Sequence, residues 1–467
     1  TTGMGNVAIG SYSMRSNTTG NGNTAVGNSS LFYNTEGRAN TAIGYGSLTN
    51  NQRGGGNTAV GVFSLYNAEN GNSNTALGSY SMFTNTTGNG NTSVGTRSLY
   101  SNTVGDWNTS IGSYALYENT MGNGNTAVGT NALRLNTTGI ANTAMGRGSL
   151  YSNTTGVGNT AFGSSSQYET TGSYNSALGS NSLRLNVSGG YNTAIGHTSL
   201  YAPDAGHRNT AIGYAAGRGT ESNSFSNGTF LGYQAGWGLE TGRNNTFVGY
   251  GSGFNVTSGY GNVLMGYMAA DNLTTGSNNI VIGNNINAVS ATGSNQLNIG
   301  NTIYGDTSTG HVSIGTSTVS ATHDLQVTGT AGLSTGTAWT NTSDIRLKNI
   351  DGDYEYGLDE ILKLHTVRFH YKDGNSRGMP SDIPLIGFIA QEVQKIFPEA
   401  VHEGKDGYLD FNIHPISVAI VNALQELKHE KDKEVQELKA ENEKLKQQND
   451  KLAAYLCAKD PEAPFCK

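Results

Sequence analysis

A five-residue motif returns at a fixed spacing along most of the chain. Residues 23–27 (NTAVG), 40–44 (NTAIG) and 57–61 (NTAVG) begin 17 residues apart, and variants of the motif continue in the same way. From the copy that ends at Gly10 to the copy that ends at Gly300 there are 18 copies, with one step of 16 residues and one of 19. Such a period predicts a repeat architecture in which each unit buries its apolar face by stacking on the next.

The second part of each repeat predicts the form of one coil. It contains a short run such as SSLF or FSLY and closes with a turn stretch such as NTTGNG. Gly and Asn tolerate positive φ, so we expect two short strands per coil, separated by tight corners. Alternation within NTAIG places Thr and Ile on one face of the first strand, and Asn and Ala on the other. One face is expected to fill a narrow interior, and the recurrent Asn is expected to form a ladder of side chains.

Composition offers a competing interpretation. Gly accounts for 66 of 467 residues and charged residues for 13%, which is also typical of a disordered, glycosylated linker. The fixed period favours an ordered solenoid instead. The repeat is similar to the left-handed parallel β-roll heads of trimeric autotransporter adhesins, which also carry an Asn, small residue, aliphatic, Gly core in somewhat shorter repeats. The resemblance implies that residues 1–300 form a β-roll shaft or head of a homotrimer that attaches to surfaces.

The last copies of the repeat are richer in aromatic residues than the first. From Gly213 onward the second part becomes YAAGR, YQAGW and YGSGF. The rings of Tyr233, Trp237, Tyr250 and Phe254 are candidates for stacking on the apolar faces of sugars. The alternative is that these rings pack at the seams of a trimer.

Charge divides the chain into two modules. Of the 34 acidic and 27 basic residues, only 11 and 10 precede Ser343, and Lys348 is the first lysine. Neither module is basic enough to predict a nucleic-acid partner. No apolar stretch approaches the ~18 residues of a membrane span, and no cofactor motif or metal-ligand spacing is visible. Between the modules, residues 301–342 alternate apolar and polar residues and are predicted to form a β connector of short intertwined strands.

Three segments of the second module carry a specific resemblance. They are SDIRLK at 343–348, GFIAQEVQKIFPEAV at 387–401 and DGYLDFN at 406–412, and a heptad-bearing helix follows them. The set resembles the intramolecular chaperone domain of endosialidases and phage tail spikes and fibres. The resemblance implies a small α+β chaperone domain at 343–420 that trimerises and drives folding of the preceding β-structure. It also implies release of this domain by cleavage just before the motif serine.

Carried over by position, the resemblance assigns a Ser–Lys dyad. Ser343 would be the nucleophile, Lys348 the base and Thr342–Ser343 the bond that is cut, with Asp344 and Arg346 as supporting residues. A serine hydroxyl needs a base, and a lysine serves as one only when desolvation lowers its pKa. Closure of a trimer interface over the lysine would supply that desolvation. The alternative is a serine in a turn or helix cap beside a solvated lysine.

Heptads predict a trimeric coiled coil at 421–456. Lys428 and Lys431 weaken the first heptads, whereas from 435 to 456 the positions expected to face the partner helices are apolar or Asn. A buried Asn fixes register and oligomer state at some cost in stability. A solitary solvated helix is the alternative. The residues that we expect to hold the trimer together are Val435, Leu438, Asn442, Leu445, Asn449 and Leu452.

The tail at 457–467 contains the only two cysteines, Cys457 and Cys466. In an exported protein they are expected to form a disulfide within or between chains, and otherwise they are two thiols.

Together these features predict a trimeric extracellular fibre or adhesin, on a virion tail or a bacterial surface, whose partner is a cell-surface glycan or receptor. Any enzymatic activity would be a single self-cleavage. An alternative is a tail-spike enzyme that degrades polysaccharide, but the repeats carry few of the carboxylates that glycoside hydrolysis uses. A second alternative is a fibre that keeps its uncleaved chaperone as a binding tip. A third, the processing module of a membrane-bound transcription factor, would require a basic region and a membrane span.

Overall fold

The computed structural model describes residues 2–202, 204–219, 224–321, 323–328, 349–375, 381–404, 407–462 and 464–466. The chain forms two compact units, Thr1–Thr328 and Gly329–Lys467. The first is a β-solenoid and the second is a small unit of helices and strands.

The solenoid is built from one short parallel strand per coil. Each strand pairs with the strand one repeat later, in a register that aligns identical repeat positions, as in Thr24 with Thr41 and Ala25 with Ala42. The strands are β1 Val7–Ile9, β2 Thr24–Val26, β3 Thr41–Ile43, β4 Thr58–Val60, β5 Thr75–Leu77, β6 Thr92–Val94, β7 Thr109–Ile111, β8 Thr126–Val128, β9 Thr143–Met145, β10 Thr160–Phe162, β11 Ser176–Leu178, β12 Thr193–Ile195, β13 Thr210–Ile212, β14 Thr229–Leu231, β15 Thr246–Val248, β16 Val263–Met265, β17 Ile280–Ile282 and β18 Gln296–Ile299. This confirms the solenoid of 17-residue coils.

The two faces of each strand have the predicted composition. In β3, Ala42 is fully buried, whereas Thr41 is half-buried and Ile43 is 40% exposed. The Asn before each strand, such as Asn40, is also fully buried. The Asn and Ala face therefore fills the interior, and the Thr and Ile face is the outer one.

The second part of the coil is not the strand that the sequence predicts. Counting repeat positions from the Asn of the motif, positions seven and nine adopt left-handed backbone conformations, for example Ser29 (φ 57°) and Leu31 (φ 51°). Such conformations are costly for residues with a side chain. Hydrogen bonds to the next coil offset the cost, such as that from the Leu31 N–H to the Ser47 carbonyl at 3.0 Å. These turns close the coil and place Leu31 in the interior.

The expected Asn ladder is present, and a second ladder accompanies it. At position one, the Asn40 N–H donates to Asn23 Oδ1 at 3.0 Å. At position twelve, Asn51 Nδ2 donates to Asn34 Oδ1 at 2.7 Å, and Asn34 Nδ2 donates to Asn17 Oδ1 at 2.8 Å. Both ladders satisfy buried amide groups that would otherwise destabilise the interior.

The apolar interior changes along the solenoid. In earlier coils a buried Ala at position three shares the core with a buried Leu at position nine, as with Ala25 and Leu31. In later coils position three holds Phe230 or Phe247, and position nine is Gly in these two coils. A Cβ added to Gly236, which has φ 64°, would lie 2.7 Å from the Phe230 ring. The ring therefore occupies space that a Leu side chain fills elsewhere.

The solenoid ends in a change of strand direction. Strand β19 (Ile303–Asp306) pairs antiparallel with β18, and β20 (His311–Ile314) pairs antiparallel with β19. Strand β21 (Leu325–Val327) then pairs parallel with β20. The described part of the predicted connector is thus extended, but it continues the sheet of the solenoid.

The second unit has a small core beside a long helix. Its elements are α1 Leu358–Ile361, β22 Val367–Phe369, β23 Leu385–Gly387, α2 Ala390–Val393, a 3-10 helix Pro398–Ala400, β24 Val401–Glu403, β25 Leu409–Phe411, α3 His414–Lys459 and a 3-10 helix Pro464–Cys466. The two strand pairs, β22 with β23 and β24 with β25, are antiparallel hairpins. The core joins α2 and the 3-10 helix after it to the first turns of α3 through Val393, Phe397, Ala400, Val401, Ile416 and Ala419.

Candidate functional site

The residues of the predicted cleavage site lie outside the described part of the chain. They are Thr342, Ser343, Asp344, Arg346 and Lys348, and the description resumes at Asn349. The dyad therefore stays a prediction, and the functional surfaces below are those of the two described units.

Half-buried rings at repeat position ten form a stack along the solenoid, which we call the first column. Tyr66 and Phe83 have ring centroids 5.1 Å apart and planes 7° apart. Where Arg occupies the position, its guanidinium lies between rings, as Arg134 does at 5.8 Å from both Tyr117 and Tyr151. Such cation–π contacts continue the stack where a ring is missing. The members are Tyr66, Phe83, Tyr100, Tyr117, Arg134, Tyr151, Tyr168, Arg184, Tyr201, Arg218, Trp237 and Phe254.

Exposed rings at position six of the later coils form a second column. His197 stacks on Tyr214 at 5.4 Å. The stack continues through Tyr233, Tyr250 and Tyr267 at spacings of 5.1, 4.8 and 5.2 Å. The column exposes the edges of its rings to solvent.

The four residues predicted to stack on sugars are thus divided between the columns. Tyr233 and Tyr250 belong to the second column, and each has a ring on both faces. Trp237 lies between Arg218 and Phe254, at 5.6 and 5.0 Å. Stacking on a sugar needs an open ring face. In this chain the faces of Tyr233, Tyr250 and Trp237 are covered by their neighbours, and their edges are exposed. The rings pack on one another within one chain, and the alternative of packing at the seams of a trimer stays a prediction.

An apolar stripe follows position four along the outer face of the strands. It consists of side chains that the protomer leaves at least one-third exposed. We call this surface the aliphatic stripe, and its exposed members are Ile9, Ile43, Leu77, Ile111, Met145, Phe162, Leu178, Ile195, Ile212 and Met265. In the coils between them the same position holds a half-buried apolar residue, such as Val26 or Val60. An extended exposed apolar surface is typical of an interaction site.

In the second unit, two polar side chains of α3 hold the segment around α1. Asn422 Nδ2 donates to the carbonyls of Tyr354 and Tyr356 at 2.7 and 3.0 Å. Glu426 Oε2 accepts the N–H of Leu358 at 2.7 Å. The Leu358 N–H belongs to the first turn of α1 and has no partner within the helix, and the two carbonyls belong to the segment that leads into it.

Tyr354 adds a further tie within this unit. Its hydroxyl donates to Glu399 Oε1. Burial, together with this hydrogen bond to a carboxylate, raises the pKa of Tyr354 well above its usual range. The hydroxyl, like that of an ordinary tyrosine, is a donor at neutral pH, and the raised pKa extends this to more alkaline pH.

Beyond these contacts, α3 presents its heptad positions to solvent. Val435, Leu438, Leu445 and Leu452 are each at least 40% exposed. Asn442 Nδ2 donates to the Leu438 carbonyl of its own helix at 3.0 Å. The helix ends beside a disulfide that joins Cys457 to Cys466 within the chain, with a Cα–Cα distance of 5.6 Å.

A groove of about 560 Å³ lies between the β22–β23 hairpin, α2 and β25. Phe369, Phe388 and Phe411 line it, and Ile386 on its rim is 80% exposed. Asn375, Gln391 and Asp410 also line it, so the groove combines aromatic and polar side chains.

Residues 343–402 match the family model of the chaperone of endosialidase. The match covers the start of the second unit, through the hairpin that carries Ile386 and the core residue Val393. This match and the β-solenoid together fit a protein of the endosialidase or tail-fibre type. No curated protein matches the chain.

Two further properties of the described residues concern membrane-spanning helices and metal-binding groups. None of their helices is long and apolar enough to cross a bilayer. They also contain no group of three His, Cys, Asp or Glu side chains placed to hold a metal ion.

Sequence reasoning missed the contacts that position α1. Asn422 and Glu426 bind backbone groups 66 to 68 residues earlier in the chain. The available signal was a polar side chain, Asn422, beside Val421 at the start of the heptads. Sequence spacing alone gives no partner for such a side chain.

Proposed function

We propose that the chain assembles into a homotrimeric extracellular fibre, on a virion tail or a bacterial surface, and that its C-terminal unit is an intramolecular chaperone for the solenoid. The observation that carries the proposal is the match of residues 343–402 to the chaperone of endosialidase, next to a solenoid with an unpartnered apolar stripe. The chaperone family implies trimer formation.

Two surfaces support the trimer. The aliphatic stripe would bury its side chains against the same stripe of two other copies, at ~25 cal/mol per Å² of apolar surface removed from water. On α3, the exposed Val435, Leu438, Leu445 and Leu452 would pack in a coiled coil, with Asn442 and Asn449 fixing its register.

We propose further that the trimer cuts itself between Thr342 and Ser343. The Ser343 hydroxyl attacks the Thr342 carbonyl carbon while Lys348 takes the hydroxyl proton. The bond from that carbonyl to the Ser343 nitrogen breaks, the nitrogen takes a proton, and water hydrolyses the resulting ester. Asp344 orients the loop and Arg346 stabilises the oxyanion in this scheme.

A fibre of this type would attach to a cell-surface glycan or receptor. The disulfide between Cys457 and Cys466 supports an oxidising, extracellular location.

Intact mass measured under denaturing conditions tests the cleavage. We expect fragments of residues 1–342 and 343–467 from the parent chain, and a single 48.9 kDa chain from Ser343→Ala and from Lys348→Ala. Ser381→Ala and Lys363→Ala are the matched controls and should be cut like the parent. An uncut parent chain would contradict the proposed Ser–Lys dyad. The chaperone would then be a permanent part of the fibre.

A further inference from the structure

A polar groove of about 550 Å³ crosses the first four coils of the solenoid. It runs over three steps between coils, or about 15 Å at the ~4.8 Å spacing of stacked strands. It shares no residue with the aliphatic stripe. The lining residues are Ser16, Tyr33, Thr35, Asn50, Gln52 and Glu69.

The repeat departs from its own pattern at this groove. Position thirteen is Thr in the coils on either side, and its hydroxyl donates to the carbonyl one coil later, as Thr35 does to Gln52 at 3.0 Å and Thr103 to Thr120 at 3.0 Å. Gln52 and Glu69 replace Thr at this position in two successive coils. The Gln52 carbonyl still accepts the Glu36 N–H at 2.9 Å, so the backbone of the coil is unchanged.

These replacements release two polar side chains from a structural role. The side chains of Gln52 and Glu69 are exposed and hydrogen-bond to no other described residue. Arg53, the neighbour of Gln52, is ion-paired with Glu36 at 3.6 Å. The groove therefore offers a free amide and a free carboxylate, and no lysine or arginine lines it.

The ring in the groove also differs from the rings of the two columns. Tyr33 is 51% exposed, and its ring neighbour among the described residues is Phe32, in an edge-on contact at 4.5 Å. No ring or guanidinium of a described residue is stacked on Tyr33. The first column does not reach this ring, because position ten of the next coil is Thr49, which is buried and donates to the Gly46 carbonyl at 2.8 Å.

We propose that this polar groove binds a neutral oligosaccharide. Tyr33 supplies an apolar face for a sugar ring, and the Gln52 amide and Glu69 carboxylate bind sugar hydroxyl groups. Glu69 forms no ion pair with a described residue, since the nearby Arg53 is paired with Glu36. Its uncompensated carboxylate repels sialic and uronic acids. The inference rests on the proposed function, because it gives the surface-attaching fibre a ligand class and a site.

Binding of the full chain to an array of neutral hexose and N-acetylhexosamine oligomers, beside sialylated and uronic-acid oligomers, tests the proposal. The best neutral oligomer is then titrated against variants. Gln52→Thr with Glu69→Thr restores the residue of the repeat, so folding is retained, and we expect affinity to fall about tenfold or more. Tyr33→Ala should weaken binding about tenfold, while Tyr33→Phe keeps the ring and the affinity.

Tyr45→Ala, an exposed ring outside the groove, is the control and should bind like the parent. Absence of binding to every neutral oligomer, preference for acidic ones, or unchanged affinity in the Gln52→Thr, Glu69→Thr variant each overturns the groove. The oligomeric state of the same samples is measured in parallel. A trimer that binds no neutral sugar would contradict the proposed sugar site alone. A monomer that binds a neutral sugar would contradict the proposed trimeric fibre alone.

Discussion

The earlier and later coils of the solenoid enclose similar interiors with different side chains. In the earlier coils, Ala at position three and Leu at position nine share the core, as Ala127 and Leu133 do. In the later ones Phe247 at position three lies against Gly236 and Gly253 at position nine. A large residue has exchanged places with a small one, as expected if the coil must keep a close-packed interior of fixed volume.

The polar part of the interior differs between the same regions. Position twelve of the earlier coils holds a buried Asn that bonds to the Asn of the neighbouring coil. In later coils the position is aliphatic, and its residues are Leu239, Val256 and Leu273. The backbone hydrogen bonds between coils continue through both regions. The interior volume and these bonds are thus common to all coils, whereas the ladder of Asn side chains at position twelve is present only in the earlier ones.

The largest expected effect comes from emptying the later interior. Phe247→Ala removes a fully buried ring that the Gly residues beside it cannot replace. We expect the solenoid to lose about 3–5 kcal/mol of unfolding free energy, measured by urea denaturation. Phe83→Ala removes a half-buried ring of the first column and should cost clearly less. Equal losses would mean that Phe247 is not a core residue.

A smaller effect is expected from adding a methyl group to the core, and a comparison of two glycines distinguishes overpacking from backbone strain. Gly236 and Gly124 have nearly the same φ, 64° and 65°. A Cβ at Gly236 would meet the Phe230 and Phe247 rings, whereas a Cβ at Gly124 would have nothing within 4 Å. We expect Gly236→Ala to cost about 1–3 kcal/mol more than Gly124→Ala, since only the first overpacks the core. Equal costs, measured by the same denaturation, would contradict the exchange of volumes.

A third expected effect, below that of emptying the Phe247 site, concerns the Asn ladder of the earlier coils. Asn102→Ala breaks hydrogen bonds to Asn85 and from Asn119, at 2.7 and 2.8 Å, and one to the Gly105 carbonyl at 2.9 Å. We expect a loss of about 1 kcal/mol per broken bond. Asn70→Ala, whose side chain is exposed, should stay within ~0.5 kcal/mol of the parent. A ladder variant as stable as this control would show that the side-chain ladder adds nothing to the backbone hydrogen bonds.

The repeat pattern predicted the strand of each coil. It could do so because the position of a residue within the repeat decides whether its side chain is buried. It did not predict the turns, because Leu31 in a left-handed conformation contradicts the local preference of leucine and is imposed by closure of the coil. The aromatic columns were not predicted either, because they depend on contacts between coils. The sequence offers sugar stacking or packing at trimer seams for Tyr233 and Trp237, whereas the register of the coils brings each beside a ring or guanidinium of the neighbouring coil.

The second unit divides in the same way. Local motifs such as GFIAQEV predict its resemblance to the chaperone of endosialidase, and the match at 343–402 confirms that resemblance. The docking of α1 on α3 through Glu426 depends on contacts distant in sequence, which no local pattern contains. The predicted roles of Ser343 and Lys348 rest on the resemblance and on the cleavage experiment.

The central claim, a trimer held by the aliphatic stripe and α3, is tested most directly by sedimentation equilibrium. The Ser343→Ala chain keeps both units together, and we predict a mass of three times 48.9 kDa. The same chain with Ile111→Lys and Ile195→Lys in the stripe should assemble more weakly. A mass of 48.9 kDa for Ser343→Ala, at concentrations where the solenoid is folded, would contradict the account.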